Sequence, residues 1–227
     1  MCGIFGSKDL KQYTSLYVKN RKRGDFAFGG LFMAKKIHAI IKAPGIAKLN
    51  KSLQFEYGKN KRRSFADFDY YLGHTQAPTS KKRTFTHATS HPFSCDGWVV
   101  AHNGVISNHL ALKKLVKSSK TYNEVDTSVI PALIAQTHQS IRNEIKSICM
   151  TLEKLEGTFG LWIFNEKSHN TYLARSGSTV FADFITNDFS STKIKGFTAL
   201  DEGYLYLLTS EGVTSVGSFR PNSPFFV

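Results

Sequence analysis

The chain commits its amino end to the interior within six residues. Cys2-Gly3-Ile4-Phe5-Gly6 is a short apolar run closed by a glycine, the pattern of a buried strand. A chain that starts this way needs a sheet to receive its first residues, and the rest of the sequence supplies the strands. Residues 27–33 and 36–42 read as a strand pair, and residues 70–75 and 98–102 as buried strands. After Gly157 the strand pattern resumes over 158–164, 171–174, 180–184, 203–209 and 212–216. Between these, residues 10–18 suit a helix, and Asn108 is a candidate cap for a helix through Val116. Residues 126–135 and 140–155 have helical spacing, the latter through Ile141, Ile145, Ile148 and Leu152. Residues 43–68 are polar and lysine-rich, so loops with short helical turns are expected there. The sum is an α+β domain of mostly antiparallel strands. A four-layer αββα sandwich, two sheets between helices, fits it.

Composition limits the alternatives. At 227 residues and 41% hydrophobic, the chain suits one large domain with a real core. The three cysteines, Cys2, Cys95 and Cys149, are scattered and include no CxxC pair, so neither a disulfide framework nor a structural zinc site is expected, and a cytoplasmic home is. No segment approaches the run of about 18–20 apolar residues that would span a membrane. Charge is unevenly spread: residues 1–120 carry 22 basic and 6 acidic side chains, and the remainder 8 and 11. A basic face of this kind either keeps the surface solvated or steers an acidic partner or polyanion toward it. Nucleic acid stays open as a partner on charge alone, although no Walker loop, zinc finger or RNP-type aromatic motif supports it.

The same first residues carry a chemical signal. Methionine before a small residue is normally trimmed, and the new first residue, Cys2, would then hold a thiol and a free α-amine together. The thiolate is the attacking species, and an amine titrating near ~7.7–8.0 is a usable base at neutral pH. Other segments follow in order: Arg23-Gly24-Asp25 with Gly29 close behind, Gly73-His74-Thr75-Gln76-Ala77-Pro78-Thr79-Ser80, His91-Pro92-Phe93, Ala101-His102-Asn103-Gly104-Val105-Ile106-Ser107-Asn108, and Val125-Asp126-Thr127-Ser128. This order and spacing closely resembles the class II glutamine amidotransferases, which are N-terminal nucleophile hydrolases, and most of all the glutaminase half of glucosamine-6-phosphate synthase. The resemblance is strongest over residues 2–216, and the whole of 1–227 reads as a single glutaminase-like domain with no synthase domain.

The resemblance implies a set of roles. Cys2 would attack the side-chain amide of glutamine, while the Asn103 carboxamide and the Gly104 N–H hold the oxyanion. Read without it, Asn103-Gly104 is equally the signature of a hairpin turn. Asp126 would pair with the substrate ammonium, though it also suits a helix cap. Thr79 and Ser80 match a loop that holds the substrate carboxylate, and Arg23 a supporting arginine beside the nucleophile. His74 and His102 are expected to be packed, hydrogen-bonded strand residues. Gln76 departs from the family, which usually has an arginine there; losing one charge-assisted bond costs about 1.5–3 kcal/mol. Lys81, Lys82 or Arg83 could replace the missing cation. Thiolate, amine and oxyanion donors suffice for the chemistry, so no cofactor or metal is implied. L-glutamine is the expected substrate and a separate ammonia-accepting synthase subunit the expected partner, with no membrane involved. Two other readings stay open: an amidohydrolase of another amide, and a weakly active regulatory or binding module of the same fold.

Overall fold

The first strand, β1 (Gly3–Ser7), is buried along its whole length and paired on both sides. One neighbour is β4 (Tyr70–Gln76), running antiparallel with Gly3 opposite Thr75 and Ser7 opposite Tyr71; the other is β10 (Phe189–Ser190). β2 (Ala27–Ala34) pairs with β4, and β3 (Ile37–Pro44) closes that edge. Two-residue strands β9 (Phe181–Ala182) and β11 (Thr198–Ala199) extend the sheet beyond β10 to seven strands. The second sheet has six: β13 (Gly212–Ser218), β12 (Tyr204–Thr209), β8 (Thr171–Ser176), β7 (Gly157–Asn165), β6 (Trp98–Ile106) and β5 (Phe93–Cys95), in that order. Every ladder between these strands is antiparallel. The computed structural model describes residues 1–35, 37–44, 68–78, 84–117, 121 and 125–222. The loops expected over 45–67 lie outside them.

Period-two alternation distributes side chains into three cores. Ile4, Leu31 and Leu72 point from the first sheet to meet Val99, Trp162, Phe164 and Leu173 of the second. The indole N–H of Trp162 crosses this interior to donate to the Gly73 carbonyl at 3.1 Å. On the outer face of the first sheet, Phe5, Phe28, Phe32 and Tyr71 receive Tyr13, Leu16 and Tyr17 of helix α1 (Leu10–Arg21), which Asp9 caps through its bond from the Gln12 N–H. On the outer face of the second sheet, Val100, Leu161 and Ile163 are covered by α3 (Val129–Ile141) and α4 (Glu144–Leu152) through Ile130, Leu133, Ile148 and Leu152. The layers therefore run helix, sheet, sheet, helix, as expected.

Several local expectations change. β6 continues past His102 to Ile106, so Asn103 and Gly104 are strand residues opposite Gly160 and Phe159 and form no hairpin turn. Asn108 precedes a short α2 (His109–Lys113) without capping it; its side chain instead donates to Lys154 O and accepts from the Glu156 N–H. Asp126 opens a 3₁₀ turn (Asp126–Ser128) rather than capping a helix, and α3 starts after it. The helix expected over 140–155 is split: Arg142 ends α3 at φ +56°, and Asn143 caps α4 by accepting from the Lys146 N–H at 2.9 Å.

Candidate active site

The candidate residues come from the start of β1, the end of β4, the turn after α1, the strand β6 and the 3₁₀ turn at Asp126. The β1–β4 ladder pairs Ile4 with His74 and Gly3 with Thr75, so Cys2 stands opposite Gln76 one step further on, on the same face of the sheet. Cys2 is buried and its Sγ lies 3.7 Å from the Ala77 carbonyl. Arg23 reaches back from the end of α1 and donates through Nε to the Cys2 carbonyl at 2.8 Å. Burial lowers the pKa of its guanidinium, and attraction to the Cys2 side chain offsets part of that. Gly24 makes this approach feasible, because a Cβ there would lie 2.6 Å from the Ala77 backbone nitrogen. Met1 is 81% exposed, so the residue preceding Cys2 projects from the surface.

Asn103 reaches Cys2's strand from the opposite sheet. Its Nδ2 donates to Ser191 Oγ at 3.2 Å, and that hydroxyl also accepts the Ile4 N–H at 3.0 Å. Gly104 holds φ +145°, and a Cβ would sit 2.0 Å from the Thr158 carbonyl, so only glycine fits there. Sequence patterns gave no sign of Ser191: it belongs to no motif, and its importance lies in contacts with residues far away in the chain.

Behind Asn103 lies a buried histidine cluster. His74 stacks on His91 with ring centroids 4.0 Å apart, and His74 Nε2 lies 2.9 Å from the His102 carbonyl. His91 Nε2 and His102 Nδ1 both face Thr127 Oγ1, at 2.8 and 3.1 Å, and His102 Nε2 faces Thr158 O. Asp126 Oδ2 also lies 3.8 Å from His102 Nδ1, and Thr127 Oγ1 lies 3.4 Å from Asp126 Oδ1. His74 and His102 are thus packed, bonded strand residues.

Asp126 joins the cluster to the strand bearing Asn103, accepting the Ile106 N–H at 2.8 Å and the Thr127 N–H at 2.9 Å. Gln76 is buried, accepts the His91 N–H at 3.4 Å, and leaves its Nε2 without a partner among the described residues. Thr79, Ser80 and the cations Lys81, Lys82 and Arg83 lie outside the described residues. Cys2, Cys95 and Cys149 form no disulfide. No cluster of three or more metal-binding side chains occurs among the described residues, and no described helix is long and apolar enough to cross a membrane.

Two antiparallel sheets lie between helices, and a cysteine leads into a central strand of one of them. The comparisons narrow this further. Residues 83–189 match a family model described as a glutamine amidotransferase domain. Glutamine–fructose-6-phosphate aminotransferase (isomerizing) of Francisella tularensis is 25% identical over 228 residues, covering 94% of this chain but 36% of its own length. The glutamine phosphoribosylpyrophosphate amidotransferase of B. subtilis, solved with ADP and GMP, superposes with a TM-score of 0.68 at 19% identity, over 95% of this chain and 49% of its own. A glutamine aminotransferase class-II domain protein from Silicibacter pomeroyi superposes with a TM-score of 0.60 at 12% identity, over 97% of this chain and 99% of its own. Over residues 83–189 the chain is similar to the glutamine amidotransferase domain family, and it spans about a third of the length of the curated relatives it matches.

Proposed function

We propose that this domain hydrolyses the side-chain amide of glutamine to glutamate and ammonia through a thioester on Cys2, once Met1 has been removed. The observation that carries the reading is the meeting of the Asn103 carboxamide, from one sheet, with the strand that Cys2 begins in the other. In this reading the Cys2 thiolate attacks the amide carbon, and the carbonyl oxygen becomes an oxyanion facing Asn103 Nδ2 and the Gly104 N–H. Such a donor is typically worth ~2.7–4 kcal/mol of barrier. The C–N bond breaks as the α-ammonium of Cys2 protonates the leaving nitrogen, directly or through water. Water then attacks the thioester, the same amine takes its proton, and the thiol is regenerated.

Arg23 holds the Cys2 carbonyl and is charge-complementary to the thiolate. Asp126 supplies a carboxylate for the substrate ammonium. The spare Nε2 of Gln76, with Thr79 and Ser80, serves the substrate carboxylate; an uncharged donor there favours weaker capture than an arginine would. The ammonia passes to a synthase partner in the cytosol. The relatives support this, since they carry further chain beyond the stretch they share with this one.

The test is glutamate release from glutamine by purified protein whose intact mass shows Met1 removed, wild type beside Cys2→Ala. Activity confined to the wild type is expected, with Cys2→Ala at background. Equal activity in both would overturn the mechanism. So would a trimmed wild type that neither releases glutamate nor is labelled at Cys2 by a glutamine-analogue diazoketone.

A further inference from the structure

We propose that Ser191 is the positioning residue of this site, setting the Asn103 carboxamide against the strand that Cys2 begins. The inference rests on the reading of Asn103 as an oxyanion donor. Ser191 is 1% exposed and follows directly on the two-residue strand β10. It clamps Ile4 at two points: its N–H donates to the Ile4 carbonyl at 2.8 Å, and its Oγ accepts the Ile4 N–H at 3.0 Å. Ile4 is two residues from Cys2 in an extended strand. The same Oγ accepts from Asn103 Nδ2, so a single oxygen sets the spacing between the nucleophile's strand and the donor. Its carbonyl accepts from Arg23 Nη1 at 3.3 Å and from Thr179 Oγ1 at 2.8 Å, and Arg23 is the residue that holds the Cys2 carbonyl.

The chemistry needs such an anchor. A carboxamide nitrogen has two N–H groups, and an unanchored one would have to be oriented anew in each turnover. Giving one hydrogen to Ser191 fixes the plane of the amide and leaves the other to face the substrate oxygen. A donor fixed in advance stabilises developing charge without reorganisation. Ser190 supplies an internal control. It is equally buried, but its hydroxyl accepts from Asn20 Nδ2 at 2.9 Å, in the layer beneath α1.

The experiment compares glutamine hydrolysis by trimmed wild type, Ser191→Ala, Ser190→Ala, Asn103→Ala and the double variant Ser191→Ala/Asn103→Ala. Ser191→Ala should lower kcat about tenfold, the effect of one neutral hydrogen bond, with KM within about twofold. Ser190→Ala should melt lower while keeping kcat. In the Asn103→Ala background, removing the Ser191 hydroxyl should cost nothing more, because the group it positions is gone. A kcat loss that Ser190→Ala matches, or that persists undiminished without the Asn103 amide, overturns the role. If Ser191→Ala does not fold, Ser191→Cys, similar in size but a weaker acceptor, carries the same test: kcat falls at constant KM, and an unchanged kcat overturns the role. An active wild type with an equally active Ser191→Ala removes the positioning role alone. A trimmed wild type silent toward glutamine and toward the diazoketone removes the glutaminase reading, and the role of Ser191 with it.

Discussion

Gly29 shows how much of the site depends on a side chain that is missing. It lies in β2 opposite His74, and a Cβ there would sit 1.9 Å from the His91 carbonyl oxygen. The bare backbone lets the segment around His91 lie flat on the sheet, where His91 stacks on His74 and its N–H reaches Gln76. Gly29→Ala should therefore cost about 2–3 kcal/mol through overpacking, or roughly 5–10 °C of melting temperature in a chain of this size. It should also raise KM for glutamine, because Gln76 loses the partner that orients it. Thermal melts with steady-state kinetics check this, and an unchanged melting temperature would refute it. At this scale the sequence was informative where chemistry restricts the residue type. Cys2, Arg23, Asn103, Gly104 and Asp126 were all named from sequence; the structure joins Arg23 to the Cys2 carbonyl directly and Asn103 to the strand after Cys2 through Ser191. Ser191 was not, because a serine has many uses and its partners are distant in sequence. Nor did the sequence show that Gln76 turns onto His91, a contact made by a loop folding back over a glycine.

Among the elements, α4 owes its start to a single side chain. Arg142 in the left-handed region breaks the run of apolar spacing, and Asn143 restarts it by accepting the Lys146 N–H. Asn143→Ala should cost about 1 kcal/mol and lower the melting temperature by roughly 2–4 °C. Turnover should not change, since α4 lies on the outer face of the second sheet. A fall in kcat at full occupancy would contradict that separation. Long periodic elements were readable because their patterns report one buried face: β1, β2, β4, β7 and α1 all appear where expected. Three strands, β5, β10 and β11, escaped notice because two or three residues cannot establish an alternation. The extension of β6 through Asn103-Gly104 escaped for another reason. Asn-Gly favours a turn locally, and nine residues of pairing with β7 outweigh that preference.

For the molecule as a whole, the four layers place most titratable groups at the surface, and Lys42 is an exception. It donates to the His87 carbonyl at 3.1 Å and lies over the Phe93 ring at 5.0 Å, and burial lowers its pKa to about 8. Below pH 8 the ammonium is charged in both states and the fold bears the cost of burying it. Between pH 8 and about 10 the folded protein releases this proton while the unfolded chain keeps it, so stability rises with pH. Because Lys42 is only half-buried, solvent screening reduces the gain to the order of 1–2 kcal/mol. Denaturant unfolding at pH 8 and pH 10 should show the rise in the wild type and its loss in Lys42→Met; parallel behaviour would exclude Lys42 as the source. The central place of β1 has a practical side as well. Its ladders begin at Gly3 and the residue before Cys2 projects outward, so a peptide extension at the amino end should leave the fold intact. Such a protein would purify, melt and give spectra like the native one, yet it would lack the amine on which the proposed chemistry depends. An affinity tag therefore belongs at the carboxyl end, and inactivity in a preparation tagged at the amino end would reflect its processing rather than the capacity of the site.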